Sequence, residues 1–397
     1  MNYVVSTEKS LKHWLKKKVT ITTGTVVGFL IMGTIAFGEI QSTTVTTNKD
    51  YVVDIGNSIN IVIEKEDIQA KGIEIKGNNE KVTTENKGSI NIQGKKHYAK
   101  GIHAYNNAKI INDGSIVVAG KGDIQGIQGE KGVNITVKNG EKAKIITSGT
   151  GKVFAVQVNG TGIGNIENSG VISAENEKFL GKWDVVQTVV LQSGGIISNN
   201  ETGIIKATFK EGSATGIYAN AKGAEDTKIT NKGKIEVSGK TLATGIYLGV
   251  DENYSGITEN MVENNGEIIA SSDKFASAIT VINGSDKKIS IKNRENGILN
   301  VDGKGNHKTG AVRLDSSNGE ISFINNGTIK IKDGTAISIK GENVKAEIGG
   351  KIEVSGDSIV VKNTDGTAEV TGTITLIDKS QENITQNDID SLFKGKV

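Results

Sequence analysis

The chain contains no cysteine and no proline in 397 residues, has 4% aromatic residues, and its only arginines are Arg294 and Arg313. Each shortage excludes something. Without cysteine there is no disulfide framework, thiolate metal site, thiol nucleophile or lipid-anchoring cysteine behind an export leader. Proline removes a hydrogen bond from a sheet ladder, so its absence is compatible with uninterrupted sheet; coding bias is the alternative cause. Few rings mean no large core built on aromatics. Charge is nearly balanced at +2, with 47 basic and 45 acidic residues. The first 38 residues hold five lysines (Lys9, Lys12, Lys16, Lys17, Lys18) and Glu8, which leaves 47 − 5 = 42 basic and 45 − 1 = 44 acidic residues behind them, a net of −2. No clustered basic face appears, and this argues against a nucleic-acid partner.

The stretch "EKSLKHWLKKKVTITTGTVVGFLIMGTIAFGEI" reads as a signal peptide over residues 1–38. A basic lead runs to Lys18, an apolar run is densest from Val26 to Phe37, and Ala36-Phe37-Gly38 supplies small residues for cleavage after Gly38. A transmembrane anchor is the competing reading, because Val19–Gly38 approaches the ~20 residues that span a bilayer. Threonines and internal glycines dilute it. "EKSLKHWLKKK" followed by "VVGFLIMGTIAFGE" resembles the N-terminal region of fusobacterial-type autotransporters. That resemblance implies an exported passenger, and the segments behind the leader share the family's repetitive style. Such proteins end in a membrane β-barrel of alternating strands with aromatic girdles; the C-terminal "SLFKGKV" offers none. A truncated gene product, a shed or partner-secreted protein and a periplasmic protein all stay open.

Glycine, at 51 residues, is abundant, and it marks a repeat. A turn residue, a glycine, one variable residue and an apolar residue recur at Gly56, Gly88, Gly114, Gly140, Gly170, Gly203, Gly233, Gly266, Gly297, Gly327, Gly350 and Gly372, with Gly140 the weakest member. A second burst of the Ala/Thr-Gly-Ile type ("AKGIEI", "AKGIHA", "IQGIQG", "ATGIYA", "ATGIYL", "ASAITV", "KTGAVR", "GTAISI") trails the first, and a short strand such as "TKITN" precedes each first burst. Inside each burst apolar and polar residues alternate with the period of a half-buried strand. Because like strands recur a whole repeat later, they pair repeat on repeat, in parallel. The expected fold is all-β: a right-handed parallel β-helix (β-solenoid) of about a dozen coils over residues 56–377, about 60 Å long at ~4.8 Å per strand. Residues 39–55 are expected to form a cap or leading strand. The polar tail 378–397, helical from about Thr385, is expected to cover the open sheet edge.

Asn86, Asp113, Asn139, Asn168, Asn231, Asn265, Asn296 and Asn326 precede marker glycines. They predict a corner of positive φ with amides hydrogen-bonded from coil to coil. Coils longer than the minimum must carry loops, and "KGAEDTK", "LGVDENYSG" and "GKWDVVQTVV" are the candidates for binding.

Chemistry is sparse. His97 and His103 flank one second-burst strand without an accompanying carboxylate cluster, His307 stands alone, and His13 lies in the leader. Asn363-Thr364-Asp365 matches one motif of β-helical pectin hydrolases, but the Gly-His-Gly and Arg-Ile-Lys partners are missing. Ser355-Gly356-Asp357-Ser358 lacks the glycine a protease serine needs and reads as a turn. Asp251, Glu252, Glu225 and Asp226 read as solvated loop acids rather than a calcium site. No catalytic, cofactor-binding or metal residue is therefore assigned, and no cofactor. The expected function is a non-enzymatic surface or secreted adhesin. Its partners would be the export machinery, through the leader, and a glycan or protein on a host or neighbouring cell, met near Trp183, Tyr247 and Tyr254. A β-helical polysaccharide lyase or hydrolase and a purely structural spacer are the alternatives. The membrane is met only through the leader, and the expected location is the cell surface, the medium or the periplasm.

Overall fold

The structure, a computed structural model, describes residues 44–55, 57–63, 70–76, 81–94, 98–182, 184–222, 226–253, 260–303, 309–378 and 390–395. The leader and most of the tail, including Thr385, lie outside them. So do His97, Trp183, Glu225, Tyr254 and His307. No helix among the described residues is long and apolar enough to cross a membrane.

The described chain is a β-solenoid. Its strands form three sheets of 13, 12 and 12 strands, here called A, B and C. Each coil passes through B, then C, then A. Thr227–Asn231, Lys234–Gly239 and Leu242–Val250 are one such coil: the short strand, first burst and second burst of the repeat, in that order. Each strand pairs in parallel with its counterpart one coil away, as Lys234–Gly239 does with Ile204–Phe209 below and Glu267–Ser272 above. Eleven steps of ~4.8 Å make sheets B and C about 53 Å deep.

Stacking explains why so small a unit is repeated. Alternation sends Ile90, Ile116, Ile145, Ile172, Ile205, Ile235 and Ile268 inward from sheet C, each over the last, and all are fully buried. One such isoleucine contributes about 2 kcal/mol of burial, and only if a neighbouring coil covers it.

The corner between sheets B and C carries the asparagine ladder, with a different membership from the sequence expectation. Asn86, Asn112, Asn139, Asn168, Asn199, Asn231, Asn264, Asn293 and Asn325 end the sheet B strands, each no more than 2% exposed. Each Nδ2 donates to the Oδ1 of the next, in eight bonds of 2.7–2.8 Å. Thus Asn112, Asn264 and Asn325 are the ladder residues where Asp113, Asn265 and Asn326 were expected, and Asn293 stands in place of Asn296. The register of the sheet B strand decides this, not proximity to the glycine. The ladder stops where the register meets an apolar residue, at Val53 below and Ile348 above.

Among the described residues the marker glycines are not positive-φ residues either; positive φ falls at other glycines and at Asp333. They are required by close approach. A Cβ on Gly233 would fall on the carbonyl oxygen of Gly203, and one on Gly266 on that of Gly233. In the coil of Gly140 the corner is wider and Ala143 takes the glycine's place, its N–H bonded to the Gly140 carbonyl at 3.0 Å.

The two ends of the described solenoid are built differently. Val45–Thr47 and Tyr51–Val53 pair as the first strands of sheets A and B, so residues 44–55 begin the stack rather than forming a separate cap. At the other end the chain returns: Phe393–Lys394 adds a last parallel strand to sheet A beside Ile359–Asn363, with Leu392 buried.

Candidate ligand-binding face

The outward side of sheet A is unlike the outward sides of B and C. Several of its polar residues are sunk below the surface, including His103, Gln125, Gln128 and Gln157. The backbone explains part of this. In most coils the strand carries glycine or alanine where sheet A leaves sheet C. Pairing skips that residue: Lys71 opposes Lys100 and Ile73 opposes Ile102, with Gly72 and Gly101 left out. A Cβ at Gly101 would crowd the Gly126 carbonyl and the Ile116 side chain.

One outward row runs the length of the sheet, one residue per coil. It reads Glu74, His103, Gln128, Gln157, Val190 and Tyr218 in the first half. It continues through Tyr247, Thr280, Arg313, Ser338 and Lys362 to Lys394.

The N-terminal part is a self-neutralising charge cluster. Glu74 is held by Lys71 Nζ at 2.6 Å and Lys76 Nζ at 2.8 Å, and the Tyr105 hydroxyl donates to it at 3.2 Å. Burial alone would raise its pKa, but the hydrogen bonds from Lys71 and Lys76 outweigh this and bring it down to about 2. One coil on, His103 Nε2 meets Glu130 Oε1, and Lys100 Nζ lies 4.0 Å from the same oxygen. Burial, and then the Lys100 charge, lower the histidine pKa to about 4 despite Glu130. Exposure sets the balance: Glu130 is 38% exposed and screened by water while His103 is 2% exposed. We assign a neutral imidazole with the proton on Nε2. Its buried Nδ1 has no partner among the described residues.

The middle part is uncharged, and the buried Oε1 atoms of Gln125, Gln128 and Gln157 lack partners among the described residues. Tyr218 and Tyr247 follow, their rings stacked at 4.9 Å and 4°. Burial, then Tyr218, raises the Tyr247 pKa. Beyond them is a shallow open depression of about 250 Å³, floored by Tyr247, Thr280 and Ser338 and rimmed by Arg313, Asp315 and Lys340.

Several expected site residues sit elsewhere than expected. Tyr247 is not a loop aromatic: it lies on the strand Leu242–Val250, half-buried. "GKWDVVQTVV" is mostly the sheet A strand Val185–Leu191. Asp251 ties off its own turn by accepting from the Asn253 N–H at 3.1 Å. His103 does have carboxylate company in Glu130 and Glu74, yet among the described residues no three His, Asp or Glu converge as a metal set. Asn363 closes a turn, Nδ2 donating to the Gly366 carbonyl at 2.8 Å. Ser358 Oγ donates to the Ser355 carbonyl at 2.6 Å, again a turn. Sequence reasoning passed over Tyr218, Thr280, Arg313 and Ser338, although aligning the second bursts on their isoleucine or valine displays them at one changing position.

Comparison with protein-family models, with curated protein sequences and with solved structures finds no match to this chain.

Proposed function

We propose that this chain is an exported, non-enzymatic surface or secreted adhesin, similar in design to an autotransporter passenger, which holds its ligand on the outward face of sheet A. The observation that carries the reading is the outward row itself. Its side chains change from coil to coil on a frame that otherwise repeats, and they bring two tyrosines, hydroxyls and an arginine beside one open depression. Variable side chains on a rigid scaffold are the usual material of recognition. The leader supports the export half of the reading through its basic and apolar segments.

A glycan array probed with the chain tests binding. Retention of specific glycans, lost in Tyr247→Ala, supports the reading; retention unaffected by substitutions on sheet A counts against the face. Sequencing the N-terminus of extracellular material tests export, with Glu39 as the expected first residue. A polysaccharide lyase or hydrolase is the second reading, favoured by one observation: the neutral His103 beside Glu130 and Lys100. An assay for uronide cleavage separates the two. Turnover abolished by His103→Gln would replace the adhesin by an enzyme.

A further inference from the structure

Charge along sheet A is not evenly spread. From Ala276 onward its strands carry Arg313, Lys340, Lys362 and Lys394 against Asp315 alone, a net of 4 − 1 = +3. Asp315 is taken by Lys340 at 3.0 Å. Arg313, Lys362 and Lys394 are exposed and have no acidic partner among the described residues. All three stand in the same row, Arg313 two coils from Lys362 and Lys362 one coil from Lys394. At ~4.8 Å per coil the cations fall at about 0, 10 and 15 Å along the axis. The last of them is delivered by the returning C-terminal strand, which thereby lengthens the row as well as covering an edge.

Below the cations the row is neutral and hydroxyl-bearing. The Tyr218 and Tyr247 rings press on one another face to face, so each covers one face of the other. Neither hydroxyl has a hydrogen-bond partner among the described residues, and neither has that of Ser338. An unstacked nucleic-acid base seeks a free ring face, and the mutual stacking of this pair halves what it offers. A sugar chain seeks hydroxyls and edge contacts.

We infer that the row from Tyr218 to Lys394 binds a linear acidic glycan lying along the solenoid axis, with its carboxylate or sulfate groups on Arg313, Lys362 and Lys394 and its hydroxyls on the tyrosine pair. The inference rests on the adhesin reading and supplies its ligand class. Six coil steps give the strip a length of about 29 Å, enough for several sugar units. The repeat distance of the cations is set by the backbone, so the site favours chains whose acidic groups recur at the spacing of successive pyranose rings. Arginine adds a planar fork suited to carboxylate or sulfate.

The test is binding of the full chain to heparin, polygalacturonate, neutral dextran and a duplex DNA, each measured over a range of salt. Heparin and polygalacturonate distinguish sulfate from carboxylate, and retention of either, weakening as salt rises, is the expected result. Replacing Arg313, Lys362 and Lys394 together by alanine is expected to weaken that binding at least tenfold and flatten its salt dependence. Tyr247→Phe, which removes only a hydroxyl, is expected to weaken it severalfold. The control removes equal charge from sheet B through Lys109, Lys228 and Lys345, and is expected to leave binding unchanged. Equal losses from both triple variants would overturn the inference, because net charge alone would then be the attraction. DNA binding as tight as heparin, with the same variant dependence, would overturn it in favour of a nucleic-acid surface. Dextran bound and acidic chains ignored, with loss in Tyr247→Ala, would end the acidic class while keeping the face. Glycan binding indifferent to every sheet A variant would remove the adhesin reading with it.

Discussion

The asparagine corner and the outward row of sheet A share one backbone and one spacing, yet they are written in opposite ways. Nine consecutive coils place the same residue at the corner. Eleven coils of the row, from Glu74 to Lys362, use nine residue types. The difference is one of constraint. A buried amide must find its partner in the coil above and below, so a change in one coil injures two others. A side chain on the outward row, even where it is sunk as His103 is, need not match the residues above and below it. Repetition within one chain thus separates positions that hold the fold from positions free to meet something else.

The comparison can be broken most severely at the corner. Asn199→Ala breaks two ladder bonds: the buried Asn231 Oδ1 loses its donor, and Asn168 Nδ2 loses one acceptor and keeps only its longer bond to the Ile204 carbonyl. At roughly 1–3 kcal/mol each this predicts a loss of about 4 kcal/mol, read by denaturant unfolding. A sharper version uses the ladder's end. Val53 lies in register under Asn86, whose Oδ1 has no partner among the described residues. Val53→Asn should therefore be tolerated within about 1 kcal/mol, because the new amide finds that oxygen. Val137→Asn, buried in sheet B away from the ladder, should cost about 3 kcal/mol. Similar losses from both would mean the ladder confers no positional advantage.

On the face, effects should be smaller and tied to pH. His103 has a folded pKa of about 4 against an ordinary value near 6.5. Between those values the unfolded chain binds a proton that the folded chain refuses. The histidine's contribution is fully present above pH 6.5, falls as pH drops toward 4, and levels off below it. Glu74, held at about 2, behaves as a depressed carboxylate: its contribution is complete above its ordinary value near 4.5 and is lost as pH falls toward 2. His103→Gln, the residue type one coil further along the row, should flatten the unfolding midpoint between pH 6.5 and 4 and leave the lower transition in place. Smallest of all, Arg313→Ala should shift stability by no more than about 0.5 kcal/mol, as expected of an exposed side chain without an acidic partner among the described residues. A larger loss would place Arg313 in the frame rather than on the free face.

The frame was legible in the sequence because its rules are local and repeated. "KIEV", "TIKIK" and "TKITN" each declare a face, and the recurrence of like strands a repeat apart dictates parallel stacking. The corner was half legible. Asparagine density pointed to a ladder, but choosing Asn325 over Asn326 requires the inward parity of the sheet B strand "ISFIN", which a count from the glycine misses. The role of the glycines was misread for the same reason: crowding by the coil below is not a local property. The face was least legible. Tyr218 and Tyr247 are 29 residues and one coil apart, and Arg313 and Lys362 are 49 residues and two coils apart. Only the register sets them in one row, and loop aromatics drew attention away from strand residues.

The hydrogen bonds between coils all point along the axis of the rod. Tension applied between the two chain ends would load them one row at a time, as a zipper is loaded, not all together in shear. Yielding should therefore begin at a terminus and proceed in discrete events, each freeing a coil of 22 to 33 residues and roughly 75–115 Å of slack chain. A molecule tethered between two surfaces and built this way would lengthen under load by steps while the rest of the stack keeps its shape.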